Sequence, residues 1–114
     1  MPLEIVTSEQ TLTVVVIGLS GRLDAFEAPA LRKLCDEYLA QNQKHFVLDL
    51  RPLNMLDSAG LAVLVSLLKR ARMQGGDVRL IWPEDETAGR ILRLTKFDQV
   101  FTSISPSEIL PAGF

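Results

Sequence analysis

Two β-type runs open the chain. Residues 3–7 are short, whereas residues 12–19 are longer and rich in Val and Ile, the residue types that pack well on a pleated surface. Ser8-Glu9-Gln10 between them reads as a turn, so the pair is expected to form an antiparallel hairpin. Gly18, Ser20 and Gly21 then break the pattern. Next, Ala28, Leu31, Leu34, Cys35, Tyr38 and Leu39 recur at three- and four-residue spacing, which puts them on one face of a helix. Pro29 suits its first turn, where a missing N–H costs nothing. Residues 44–50 form a buried-type strand, and residues 58–72 a second helix ended by Gly75-Gly76. A strand is expected at 78–82, then a third helix at 84–94 with acidic residues first and Arg90 and Arg93 later, the order the helix dipole favours. Residues 100–104 read as a last short strand, and residues 107–110 as the start of a terminal helix.

Alternating strands and helices argue for an α/β fold with a mixed, largely parallel sheet and right-handed crossovers. The length of 114 residues suits one domain over residues 1–114, with no linker or repeat to divide it. With 47% apolar residues, the chain can build a core. The longest nearly pure apolar stretch, residues 61–68, is far too short to span a bilayer, so no membrane insertion is expected. The N-terminus has no basic region followed by an apolar core, so no signal peptide is read there. The net charge of −2 lacks the basic footprint of a nucleic-acid binder, and direct DNA or RNA binding is not expected. Cys35 is the only cysteine and cannot form an internal disulfide, which fits a reducing cytoplasm. His45 has no second His and no paired Cys, so it makes no metal site. Lys69, Arg70 and Arg72 form a basic helix end that complements the dipole.

The informative stretch is residues 46–61, FVLDLRPLNMLDSAGL, read as strand, loop and helix. The loop delivers Asp57-Ser58 to a helix start, where either residue can accept hydrogen bonds from free first-turn N–H groups. The plain reading is a cap. The sharper reading makes Ser58 a phosphoacceptor. A phosphoserine carries about −1.5 to −2 charges at neutral pH, and a helix N-terminus stabilises such an anion. A partner docked over that spot would meet a new dianion beside Asp57.

At these residues the chain resembles a known family. Leu56-Asp57-Ser58-Ala59-Gly60-Leu61, after a Val-Leu-Asp-Leu strand and before an apolar helix, is similar to the phosphorylation segment of STAS-domain anti-sigma-factor antagonists. Gly21-Arg22-Leu23-Asp24 is similar to the family's earlier Gly-x-Leu-Asp turn. The resemblance implies a STAS domain that binds a partner and is not an enzyme, with Ser58 phosphorylated. It implies partner contact by Asp24, Asp57, Ser58, Ala59, Gly60 and Leu61. It also implies an ATP-dependent serine kinase that is an anti-sigma factor, and a PPM-type serine phosphatase that resets the cycle. ATP and metal belong to those enzymes, so no cofactor is assigned to this chain. The chain departs from the family at Ala59, where a Ser or Thr is usual, which bears on kinase recognition. Two alternatives stay open. One is a STAS subunit of a stressosome or a phospholipid-transport complex. The other is a receiver domain using Asp49, although residues 3–10 supply only Glu4 and Glu9 where a receiver needs an acidic pair.

Overall fold

A computed structural model describes residues 3–7 and 13–109. Six strands and four α-helices alternate along the described chain: β1 (Val15–Gly18), β2 (Gly21–Leu23), α1 (Ala28–Ala40), β3 (His45–Asp49), β4 (Leu53–Leu56), α2 (Ser58–Met73), β5 (Asp77–Ile81), α3 (Glu86–Leu94), α4 (Phe97–Val100) and β6 (Thr102–Ile104). A 3₁₀ turn, Pro106–Glu108, follows. β1, β3, β5 and β6 form one sheet in that order, and every ladder among the described residues is parallel. Parallel neighbours need crossover connections, which α1, α2 and α3 supply. No helix among the described residues is long and apolar enough to cross a membrane.

β3 runs through the interior of the sheet. Its Phe46, Val47 and Leu48 have no exposed surface, as expected for a strand covered on both faces. Phe46 and Leu48 join the main core with Leu64, Leu80 and Leu92 under the helices. Val47 instead packs with Ile81 and Ile104 in a second cluster. α2 buries Val63, Leu64, Leu67, Leu68 and Ala71, and α1 buries Ala28, Leu31, Cys35 and Leu39.

Beyond the main sheet the chain does something the hydrophobic pattern does not announce. β1 and β3 leave the sheet together and pair again as β2 and β4, a separate two-stranded ribbon. The Leu19 N–H donates to the Asp49 carbonyl and the Gly21 N–H to the Pro52 carbonyl, both at 3.0 Å, bridging the two ladders. Gly21 makes the bend in the left-handed region, at φ +86°, a conformation that costs glycine nothing.

The fold class is as expected, with several corrections. Residues 3–7 carry no strand; Leu3, Ile5 and Val6 are exposed there. Strand propensity without a partner or a buried face does not make a strand, so the N-terminal hairpin is not formed by these residues. Its Ser8–Gln10 turn lies outside the described residues. The stretch read as a plain loop before Asp57 contains β4. The third helix starts at Glu86 and not Glu84, because the Asp85 carboxylate caps it by accepting from Thr87 and Ala88. Val100 ends α4 and does not open β6. The terminal helix is only the 3₁₀ turn, and residue 110 lies outside the described residues.

Candidate functional site

The β2–β4 ribbon explains why two motifs more than thirty residues apart form one site. Leu23 pairs with Leu56 at the ribbon's end. The next residue on each strand is therefore an aspartate, Asp24 on one and Asp57 on the other. Asp57 adopts an extended backbone and caps α2, its Oδ1 accepting from the Gly60 N–H at 3.0 Å. Its Oδ2 accepts from the Ala25 N–H at 2.9 Å, and its own N–H donates to the Leu23 carbonyl at 3.2 Å. One side chain thus ties the start of α2 to the turn that precedes α1.

Asp24 organises that turn. Its Oδ1 accepts from Phe26 and Glu27 at 3.0 and 3.2 Å, and its carbonyl accepts from Glu27 and Ala28. Arg22 sits 3.7 Å from its Oδ2. The carboxylate is therefore a turn cap first, placed beside the Asp57 junction by the ribbon.

Ser58 is the first residue of α2 and is exposed. Its hydroxyl makes no hydrogen bond with any described residue. Of the first-turn donors, Gly60 and Leu61 are taken by the Asp57 carboxylate and carbonyl. The N–H groups of Ser58 and Ala59 have no intrahelical acceptor. The exposed serine, these two donors and the positive end of the helix dipole coincide at one corner, beside the Asp57 carboxylate.

The remaining expected contact residues divide. Ala59 and Leu61 are half-buried and pack against the core, leaving part of each at the surface. Gly60 is buried and offers no surface of its own. A Cβ there would stand 2.7 Å from both Cγ and the carbonyl oxygen of Leu23. Gly60 is thus needed for close approach of α2 to β2, not for an unusual backbone angle. Phe26 escaped the sequence reading. It is 92% exposed, in the Asp24 turn. The available signal was an aromatic outside any helical or strand period, next to a Gly-x-Leu-Asp turn.

Asp49, the acceptor in the receiver alternative, is held by Arg51 through side-chain hydrogen bonds of 2.9 and 2.7 Å. These hydrogen bonds, above all, keep its carboxyl below the usual carboxylate range, against the opposing effect of burial. Among the described residues no group of three or more His, Cys, Asp or Glu could hold a metal ion.

The chain as a whole is similar to known proteins. The anti-sigma F factor antagonist of Paenibacillus polymyxa is 35% identical over 66 residues, 57% of this chain and 56% of that protein, so the match spans little more than half the relative's length. The anti-sigma-B factor antagonist of Bacillus subtilis is 29% identical over 80 residues, 70% of this chain and 69% of that one. A solved Thermotoga maritima structure, described as a candidate anti-sigma factor antagonist, superposes with a TM-score of 0.76 at 30% identity, covering 83% of this chain and 82% of that one. A family model for the STAS domain matches residues 5–108, nearly the whole chain, and the chain belongs to the STAS domain family.

Proposed function

We propose that this chain is an anti-sigma-factor antagonist, a phosphorylation-switched binding module and not an enzyme. Unphosphorylated, it binds an ATP-dependent serine kinase that is also an anti-sigma factor, and that binding frees a sigma factor. Phosphorylation of Ser58 releases the partner, and a PPM-type serine phosphatase restores the binding form. Asp24, Asp57, Ala59 and Leu61 surround the acceptor as contact surface, with Phe26 beside them, while Gly60 sets the approach of α2. These steps belong in the cytoplasm, where sigma factors and ATP are found.

The observation that carries this reading is the position of Ser58. It is exposed on the first turn of α2, beside a carboxylate whose two oxygens are already occupied by Gly60 and Ala25. Adding a dianion there leaves the internal hydrogen bonds intact. A docked partner, by contrast, must desolvate or repel the new charge. The names of the two relatives support the choice of partner class. The receiver reading of Asp49 gives way to membership of the STAS family.

The test uses purified anti-sigma factor kinases of the serine type from the same genome. Incubation with ATP and mass spectrometry are expected to place the phosphate on Ser58. Ser58→Ala is expected to bind the kinase but never be released by ATP. Ser58→Asp is expected to bind at least about tenfold more weakly, the scale of a charge set unpaired into an interface. Phosphate on Ser20 or Ser66 instead, or equal binding of all three forms, sinks the proposal.

A further inference from the structure

Phe26 is a large apolar side chain that the fold does not use. It stands just before Glu27, the cap position of α1. A hydrophobic residue there commonly packs onto the fourth residue of the helix and fixes the entry of the chain. In α1 that fourth residue is Leu31, which is buried in the core. Phe26 is 92% exposed, so its ring does not make this contact. The turn asks only for an N–H at position 26, which any residue but proline supplies.

A single exposed apolar residue means little by itself. Phe26 differs in how it is held and in what holds it. Three successive N–H groups, those of Ala25, Phe26 and Glu27, donate to carboxylate oxygens of Asp57, Asp24 and Asp24 at 2.9, 3.0 and 3.2 Å. An aromatic on a turn fixed in this way has little backbone freedom left to lose on binding. The carboxylate that holds Ala25 is also the one that caps α2 next to Ser58. Between α1 and α2 lies a shallow hollow of about 480 Å³, lined by Ala25 and Pro29 on one side and by Ala59 and Ala62 on the other. Phe26 adjoins the first of these residues and Ser58 the third. The ring and the serine thus flank one low surface of small side chains.

We propose that Phe26 is the anchor of the contact with the anti-sigma factor kinase, its ring entering an apolar pocket of that partner. Aromatic side chains are the residues that interfaces concentrate at their centres. This role rests on the antagonist reading above and extends it from the switch to the source of affinity. Ser58 carries the switch, Phe26 supplies the grip, and Asp57 ties the two into one rigid unit. The partner therefore cannot slide away from a phosphate on Ser58 while it keeps the ring seated, and one modification is enough for release.

Calorimetric titration of the full chain with the purified kinase tests this, alongside steady-state phosphorylation of Ser58. Phe26→Ala is expected to weaken binding about thirtyfold, the cost of truncating a central anchor. Its melting temperature is expected to match the wild type, because the ring lies outside the core. As a kinase substrate it is expected to raise KM and leave kcat unchanged, since a contact away from the reacting hydroxyl serves ground state and transition state alike. Leu94→Ala, at a residue 72% exposed on α3, is the control and is expected to stay within about twofold. Wild-type binding by Phe26→Ala, with Ser58→Asp still impaired, overturns the anchor and leaves the switch standing. Weak binding by Phe26→Ala, with Ser58→Asp unaffected, supports the anchor and overturns the switch. A fall in kcat at constant KM places Phe26 in the chemical step and overturns its role as anchor. A wild-type dimer that Phe26→Ala dissociates assigns the ring to a second copy and overturns the proposal.

Discussion

Gly60 shows how one missing side chain builds the site. Replacing it by Ala brings opposed effects. Alanine gains about 0.8–1.0 kcal/mol of helix propensity. The added methyl meets Leu23 Cγ and the Leu23 carbonyl oxygen at 2.7 Å, and overpacking of this kind costs about 1–3 kcal/mol. The Leu23 side chain can turn away. Its carbonyl cannot, because it accepts from Asp57. Overpacking should therefore win, with a net loss of about 1 kcal/mol in urea unfolding and weaker partner binding as α2 is pushed off the ribbon. Gly18→Ala, where nothing stands within 4 Å of the new Cβ, is the matched control. Equal stability of the two variants would show that the close approach does not constrain the fold. At this scale the sequence says that Asp57 can cap a helix. It does not say that the other carboxylate oxygen reaches Ala25, thirty-two residues away. That bond depends on the pairing of Leu23 with Leu56, a tertiary fact with no local signature.

Legibility at the scale of elements follows length and burial. α1 and α2, at 13 and 16 residues, have a period long enough to read, β3 is recognised by the apolar run Phe46–Leu48, and β5 by Val78, Leu80 and Ile81 around Arg79. β2, which starts at Gly21, and β4, which follows Pro52, have only three and four residues, too few for an alternation to show. Residues 3–7 err the other way, with strong β composition and no strand. The junction between β3 and β4 makes a pH prediction. Arg51 holds Asp49 below its usual pKa. A depressed carboxylate adds stability that is fully present above its unfolded value, about 3.9, and is lost as pH falls through the lower folded value. Asp49→Asn cannot titrate. It should melt below the wild type at neutral pH, and the gap should close on acidification from about pH 5 to pH 2. A gap in melting temperature that stays constant over that range would show that the pair contributes no linked stability.

For the molecule as a whole, the question is whether the proposed phosphorylation of Ser58 would move the fold or only recharge its surface. α2 is anchored along its length by Val63, Leu64, Leu67, Leu68 and Ala71. Displacing it would strip large side chains from the core, at about 2–5 kcal/mol for each one lost from packing. The phosphate has much less energy to spend on such a movement. A charge at a helix N-terminus is worth about 0.3–1 kcal/mol at the surface, and here that interaction favours the existing position of α2. The Ser58 and Ala59 N–H groups can take phosphate oxygens while Asp57 keeps its bonds to Gly60 and Ala25. Burial therefore outweighs the new electrostatics, and the switch should be local, with the partner supplying the discrimination. Amide chemical shifts of the phosphorylated and unmodified protein test this directly. Changes should be confined to the Asp24 turn, residues 23–27, and to residues 57–61 at the start of α2. Changes spread through β5 and α3 would show a global conformational switch and end the local-charge account.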